Sequence, residues 1–310
     1  MILRGSDKEI VSRTFEDVLG PARGRYFGAG HHEVKHELLA QPNQHGPYLD
    51  FTAEVKYPVS WSLNRDSEVK KPHLSAIDAM TLALLALSSS SRLDAVAISR
   101  VRLYAGTKPW IELDAVPVRV HVSQNKDSVH EPAVLHVQVG RIRVVIELGT
   151  PTAATRLHAN ALATASHKTL LQLDASTDQV KFLKSPERLE GTHTRPCLRT
   201  EVASPDSGIT LGNFMFSTVD YMATMGQMAQ SLVSIKHGAG REGNLWMRRV
   251  EISFGRSSPL LPKKYTSSMS IERDRLIEHG MRKLRDFSVS SSLSNDVQVD
   301  ALLAHESQAQ

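Results

Sequence analysis

SAIDAMTLALLALSSS, residues 75–90, is the stretch on which the fold turns. Ser75 can cap a helix, because its hydroxyl accepts from a free backbone N–H. Asp78, three positions on, can face back toward the same open amides. The helix expected over Ala76–Ser89 is apolar almost all round, since Ile77, Met80, Leu82, Leu84, Leu85 and Leu87 leave hardly any polar face. Such a helix needs other structure on most of its sides. The flanking sequence supplies it. LDFTAEVKYPVSWSL (49–63) alternates apolar and polar residues as a strand does, and three strongly β stretches follow the helix: DAVAISRVRLYAG (94–106), WIELDAVPVRVHV (110–122) and AVLHVQVGRIRVVIEL (133–148). In the middle one, Val116, Val118, Val120 and Val122 share one face while Pro117, Arg119 and His121 share the other. A buried helix among long antiparallel strands is one structural unit, a sheet curled around a helix.

The second half of the chain repeats the pattern. STVDYMATMGQMAQSLVSIK (217–236) reads as a helix, with Val219, Met222, Met225, Met228, Ala229, Leu232 and Val233 near a 3.6-residue period. GITLGNFMF (208–216) reads as a strand before it, and NLWMRRVEISFG (244–255), KKYTSSMSIERDRL (263–276) and GMRKLRDFSVSSSL (280–293) as strands after it. SAIDAM (75–80) lies over STVDYM (217–222), which sets Asp78 on Asp220. ISRVRLYAG (98–106) lies over MRRVEISFG (247–255), which sets Arg100 on Arg249 and Gly106 on Gly255. Matches in preserved order point to a tandem duplication. The expected class is α+β, a tandem (double) hot-dog: an N-terminal half with an extension over 1–150, and a C-terminal half with a short disordered tail, AHESQAQ (304–310), over 151–310. By fold-level analogy, acyl-chain sites form where two such halves meet.

Composition narrows the rest. The chain has 310 residues, with 41% hydrophobic, 23% charged and only 5% aromatic side chains, an ordinary profile for a soluble globular protein with an aliphatic core. A formal charge of +4 suits an anionic substrate or an acidic carrier and is too small for a nucleic-acid footprint. A single cysteine, Cys197, excludes a disulfide framework within the chain and fits a reducing, cytoplasmic setting. The N-terminus lacks a signal-peptide core, and AMTLALLAL (79–87), the longest apolar run, is half the length needed to cross a bilayer.

GHHEVKHELL (30–39) contains a literal H-E-x-x-H, His32 to His36. That pattern makes a zinc site only on a helix, where positions i and i+4 share a face and a third ligand lies downstream. Here Lys35 occupies a spacer position, AQPNQHGP follows at once, and a strand pattern comes next. No metal is expected. The histidines read as an ordered segment that hydrogen-bonds locally, or as one proton shuttle at a pocket; His32 is the candidate for touching substrate.

Asp78 and Asp220 are the candidate catalytic carboxylates, each in the first turn of a buried helix where desolvation favours acid–base work. Helix-terminus electrostatics alone would also place them there. His73 precedes the cap and is a candidate partner of Asp78. Arg249 and Arg100, mid-strand, are candidates for an anionic substrate group if they face inward, and solvated residues if they face outward. Trp246 reads as core or pocket wall. Cys197 has no evident base nearby, and no glycine-rich segment carries a phosphate-binding lysine, so no cofactor is called for.

VLGPARGRYFGAGHHEVKHELL (18–39), PHLSAIDAM (72–80) and the overall length resemble the avirulence protein D (AvrD) family of plant-pathogenic pseudomonads and other bacteria. The resemblance is firm at those segments and loose after residue 256. In that family the Gly-His-His-Glu segment belongs to a characteristic N-terminal block. The resemblance implies biosynthesis of syringolides, acyl-sugar elicitors, through esterification of a xylulose-type ketose hydroxyl by a β-ketoacyl thioester, followed by ring closures. A more distant similarity runs to A-factor-type butyrolactone synthases, which join a β-ketoacyl group to a three-carbon phosphate. The implied partners are a β-ketoacyl-CoA or acyl carrier protein thioester and a sugar or polyol, without nucleic acid or membrane, and a homodimer is compatible. The alternatives are a hot-dog dehydratase or thioesterase, and a non-catalytic acyl-ligand-binding protein.

Overall fold

The computed structural model describes residues 12–22, 25–40, 42–59, 61, 71–89, 97–106, 108–123, 134–149, 176–182, 188–194, 218–237, 245–255, 264–279, 282–293 and 297–307. The first half comprises β1 (Ser12–Arg13), α1 (Phe15–Leu19), β2 (Lys35–Leu38), β3 (Asn43–His45), β4 (Tyr48–Lys56), α2 (Ala76–Ser88), β5 (Ala97–Tyr104), β6 (Val116–Ser123), β7 (Val134–Val139) and β8 (Ile142–Gly149). The second comprises β9 (Ser176–Phe182), β10 (Arg188–Thr194), α3 (Thr218–His237), β11 (Leu245–Phe254), β12 (Lys264–His279), β13 (Arg282–Leu293) and β14 (Val297–Ser307).

The strands form one large antiparallel sheet in the order β1-β9-β10-β12-β13-β14-β11-β5-β8-β7-β6-β4-β2, with β3 added beside β4. Two blocks of six are visible in it, β2-β4-β6-β7-β8-β5 and β9-β10-β12-β13-β14-β11, and numbering the strands within each block along the chain gives the same order twice. The blocks meet edge to edge where β5 pairs with β11. There Tyr104 lies opposite Arg249, Arg100 opposite Ser253, and Arg102 opposite Glu251. Setting Arg100 on Arg249 along the sequence exchanges the first two pairs and maps the third onto itself, which is the register a twofold relation between the blocks requires.

The alternation read from the sequence builds the inner face. In β4, Leu49, Phe51, Ala53 and Val55 are buried and their neighbours are not. Val116, Val118 and Val120 of β6 and Leu135, Val137 and Val139 of β7 continue that face. Helix α2 lies against it, and Ile77, Ala79, Met80, Leu82, Ala83 and Ala86 are all shut off from solvent. Burying a side chain of the Leu or Ile class contributes about 1.5–3 kcal/mol, so a 13-residue helix without a polar face is stable only inside such a wrap. Helix α3 is buried the same way by Met222, Met225, Met228 and Leu232, but it also buries Thr224, Gln227 and Ser231.

Several expectations need correction. Residues 133–148 are two strands, because Gly140 turns the chain at φ +53°, a left-handed value that favours glycine. Residues 110–115 run beside the end of β4 without joining β6, tied by Val55 N–H to the Leu113 carbonyl and Leu74 N–H to the Trp110 carbonyl. The middle of the chain carries β9 and β10, while the strand expected over 208–216 and Cys197 lie outside the described residues. The expected disordered tail is overturned through residue 307: β14 pairs with both β11 and β13, with Val297, Val299, Ala301, Leu303 and His305 buried. The polar side chains at its end concealed a period of two. Finally, β1 pairs with β9 and α1 packs on α3, so the first residues described lie against the second block.

Candidate active site

Asp78 is fully buried in the first turn of α2 and is the centre of a polar cluster built largely by residues 26–36. Ser75 and Asp78 form a capping box: the Ser75 backbone N–H donates to Asp78 Oδ2 at 2.8 Å, and the Asp78 N–H donates to Ser75 Oγ at 3.1 Å. The carboxylate holds three more donors. His36 Nε2 donates to Oδ1 at 2.8 Å, the Tyr26 hydroxyl donates to Oδ1 at 3.0 Å, and the Tyr57 hydroxyl donates to Oδ2. Each oxygen therefore accepts two hydrogen bonds, which uses the lone pairs a carboxylate offers. The Tyr57 oxygen also lies 2.8 Å from the His73 carbonyl, so its single proton is shared between two acceptors. Because Tyr26 donates to Asp78 and Ser75 Oγ accepts from an amide, the Ser75 hydroxyl proton points to Tyr26 across 2.5 Å.

The electrostatics follow. Burial pushes the Asp78 carboxyl up, but the hydrogen bonds and charge of His36, with Ser75 and Tyr57, outweigh it and hold the group below the usual carboxylate range. A carboxylate so saturated is a weak proton acceptor; it acts as fixed negative charge that orients its donors. Both tyrosines are driven well above the ordinary phenol value, by burial first and by the Asp78 charge second, and stay protonated.

His31 sits in the same cluster. It is 3% exposed, and its Nδ1 is 3.0 Å from the Tyr26 carbonyl, an acceptor, so Nδ1 carries the proton and Nε2 is a bare lone pair. Nε2 is buried and finds no donor among the described residues. Leaving such an acceptor unpaired costs about 1–3 kcal/mol. Burial first, and the neighbouring His32 second, hold His31 down at about 3 while the charge of Asp78 pulls the other way, so the imidazole is neutral. Aromatic rings wall the cluster: Trp61 meets Tyr26 edge-on at 5.5 Å, and Tyr57 at 4.6 Å. The glycines of this segment are steric necessities. A Cβ on Gly28 would meet the Ala22 carbonyl oxygen at 2.6 Å, and one on Gly30 would meet that of Trp61 at 2.6 Å.

The candidates read from sequence divide as follows. Asp78 is central. His73 contributes its carbonyl, while its ring lies 6.0 Å from Trp61 and its Nδ1 is 3.3 Å from the Lys71 carbonyl oxygen. His32 is half-buried, its ring 3.9 Å from that of His31. His32 lies within a 3-10 turn over Gly30–Glu33 and His36 lies in β2, so the H-E-x-x-H residues do not share a helical face. Asp220 falls in the first turn of α3, and its side chain lies outside the described residues. Arg249 and Arg100 are exposed and away from the cluster, on the sheet face opposite Val250 and Val101. Arg249 donates to Glu251 at 2.9 Å, and Arg100 is 3.6 Å from both Glu147 and Glu251. Trp246 is half-buried in β11 opposite Ala304. Among the described residues, no three His, Cys, Asp or Glu side chains converge as a metal site needs. His31 and His36 belong to the histidines read as a local hydrogen-bonding segment or as one proton shuttle. Tyr26 and Tyr57 carried no sequence signal of a site role beyond strand alternation, in which Phe51, Ala53, Val55 and Tyr57 share one parity, as do Val34 and His36.

The sequence profile of the Pseudomonas avirulence D protein (AvrD) family matches residues 10–185, the span that contains the whole cluster. The chain belongs to the AvrD family. No curated protein matches this AvrD-family chain. Among solved structures it is similar to the dehydratase domain of RzxB from Pseudomonas fluorescens, at 8% identity over 87% of this chain and 98% of that one, TM-score 0.45. It is similar at 9% identity, over 86% and 96%, to a hot-dog protein of unknown function from Alicyclobacillus acidocaldarius, TM-score 0.44. An acyl-CoA thioesterase II from Mycobacterium marinum is similar at 11% identity, over 91% and 99%, TM-score 0.41. No helix among the described residues of this AvrD protein is long and apolar enough to cross a membrane.

Proposed function

We propose that this AvrD-family protein is a cytoplasmic acyltransferase-type enzyme that condenses a β-ketoacyl thioester, on CoA or an acyl carrier protein, with a hydroxyl of a sugar-type acceptor, yielding a syringolide-like acyl-sugar elicitor. Its architecture is a tandem hot-dog, residues 1–150 and 151–310, and the repeated strand order supports that reading. The observation that carries the proposal is the buried Asp78 carboxylate in the first turn of α2, with His36, Tyr26 and Tyr57 bonded to it. A fixed negative charge in a water-poor site stabilises the imidazolium that forms when a histidine of the cluster takes the acceptor's hydroxyl proton. The new C–O bond forms at the thioester carbonyl, the C–S bond breaks, and the thiol leaves with that proton.

The test is a purified reaction of a β-ketoacyl thioester with a pentulose, read by mass spectrometry. An acyl-pentulose that disappears with Asp78→Asn supports the proposal. Thioester hydrolysis or water loss without any pentulose adduct replaces it with a thioesterase or dehydratase. Unchanged reagents point to a ligand-binding protein.

A further inference from the structure

His31 Nε2 is left unused by the network just described. Every polar atom of Asp78 is engaged, and His36 spends its Nε2 on that carboxylate. His31 presents an acceptor lone pair, buried and without a described donor, in an imidazole pinned from two sides: the Tyr26 carbonyl takes both the His31 backbone N–H and the ring Nδ1–H, each at 3.0 Å. Gly30, which permits no Cβ against Trp61 and Arg25, fixes the turn that aims it. A buried acceptor held this firmly with nothing to accept from needs a reason, and a bound donor is one. We infer that His31 Nε2 is the atom that accepts the hydrogen bond of the substrate hydroxyl and takes its proton as the ester bond forms.

The inference rests on the acyl-transfer reading and names the group in it. The O–H bond breaks toward Nε2, the oxygen bonds the thioester carbon, the C–S bond breaks, and His31 Nδ1–H stays on the Tyr26 carbonyl. The proton then passes from Nε2 to the departing thiolate. His31 is neutral before the reaction because burial and His32 keep it so, which leaves the lone pair open throughout the neutral range. Asp78, whose charge acts on His31 in the opposite sense, stabilises the cation formed in the step. Selectivity for a hydroxyl over its deoxy analogue follows, because the analogue would leave the same buried acceptor unpaired.

Nitrogen-15 NMR of the intact protein, labelled at histidine, tests the assignment. Adding pentulose alone is expected to shift the His31 Nε2 resonance of the wild type, while a deoxy analogue lacking the reacting hydroxyl does not. His31→Phe is expected to lower kcat/KM by roughly 100- to 10,000-fold. His31→Gln, which retains an acceptor oxygen without a base, is expected to keep the pentulose KM within about threefold while kcat falls with the Phe variant. A resonance that no pentulose moves, consistent with a buried water on Nε2, overturns the inference even if product forms. Product formation undiminished in His31→Gln overturns the base assignment. A wild type that binds pentulose at His31 yet makes no acyl-pentulose sinks the proposed reaction and leaves the hydroxyl-accepting role standing.

Discussion

Helices α2 and α3 occupy equivalent places in two blocks of identical strand order, yet their surroundings differ. At the start of α2, Asp78 gathers the donors of Tyr26, His36, Tyr57 and Ser75, and one turn on the buried Thr81 hydroxyl donates to the Ile77 carbonyl of the same helix at 3.0 Å. Along α3, polar residues are spread over two turns, Thr224, Gln227 and Ser231, and Gln227 Oε1 accepts from the buried Arg25 guanidinium at 3.2 Å. The segment from Arg25 to His36 touches both helices: Tyr26, His31 and His36 serve the mouth of α2, while Phe27 lies against Gly226 of α3. The lesson is that two blocks can share one strand order while the chemistry at the start of a helix is set by a segment outside that shared order, here Arg25 to His36.

Removing each helix-start carboxylate in turn separates the two blocks most strongly. Asp78→Asn takes the charge from a buried pair and faces an amide toward groups that all donate. It is expected to cost about 3–5 kcal/mol in denaturant unfolding and to abolish acyl-pentulose formation. Asp220→Asn is expected to retain most of that product. If Asp220→Asn is the inactive one, the working site belongs to the second block, and if both variants make product the acid–base reading fails altogether.

The next effect is in pH. The unfolded chain protonates His31 near the ordinary 6.5, whereas the folded protein does so only at about 3. Between those values the unfolded state binds more protons, so stability falls as pH drops, by about 1.4 kcal/mol per unit and roughly 5 kcal/mol across the whole window. Asp78, lowered in the fold, adds its own loss only further down, as pH falls through the carboxylate range. Stability measured by denaturant at pH 7, 6 and 5 should therefore decline in the wild type and decline less in His31→Phe. Equal slopes would show that His31 is not held neutral by the fold.

A smaller effect probes the contact to α3. A Cβ on Gly226 would meet the Phe27 ring at 2.7–2.9 Å, and that ring is braced by Tyr26 at 5.6 Å. Gly226→Ala is expected to destabilise by about 1–3 kcal/mol through overpacking, against at most ~1 kcal/mol gained from helix propensity. Adding Phe27→Leu should recover most of the loss. Additive effects in the double variant would mean that the segment does not pack as described.

These contrasts also show what a sequence yields. Asp78 and its cap were legible because a capping box is local, complete within four residues. The two short matches pair residues of α2 with α3 and of β5 with β11, while the order of the remaining strands rests on long-range pairing that no local match records. Tyr57 was not legible, and His36 was read only as one of three histidines that could serve as a proton shuttle, because their bond to Asp78 arises from segments that converge on α2 from elsewhere in the chain. The absence of the helix an H-E-x-x-H zinc site needs was legible, and a 3-10 turn and a strand stand there instead. Strand β14 was missed for a related reason. Its hydrogen-bond partners, β11 and β13, hold it in place, and the polar residues at its end read as a tail when those partners are out of view.

The smallest expected effect concerns the arginines that the repeat brings into register. Arg249 and Arg100 lie on the outer face, each beside Glu251, and the Arg249 guanidinium stands 5.7 Å over the Tyr104 ring. Exposed pairs of this kind are worth about 0–1 kcal/mol, because water screens the charges and two long side chains must be ordered to meet. Arg249→Ala and Arg100→Ala are each expected to shift unfolding free energy by no more than ~1 kcal/mol and to leave kcat/KM for acyl transfer within about twofold. A tenfold or greater loss of activity in either, without loss of stability, would carry the substrate's anionic end to the outer face. The seam between the two blocks, and not the mouth of α2 alone, would then be part of the binding surface.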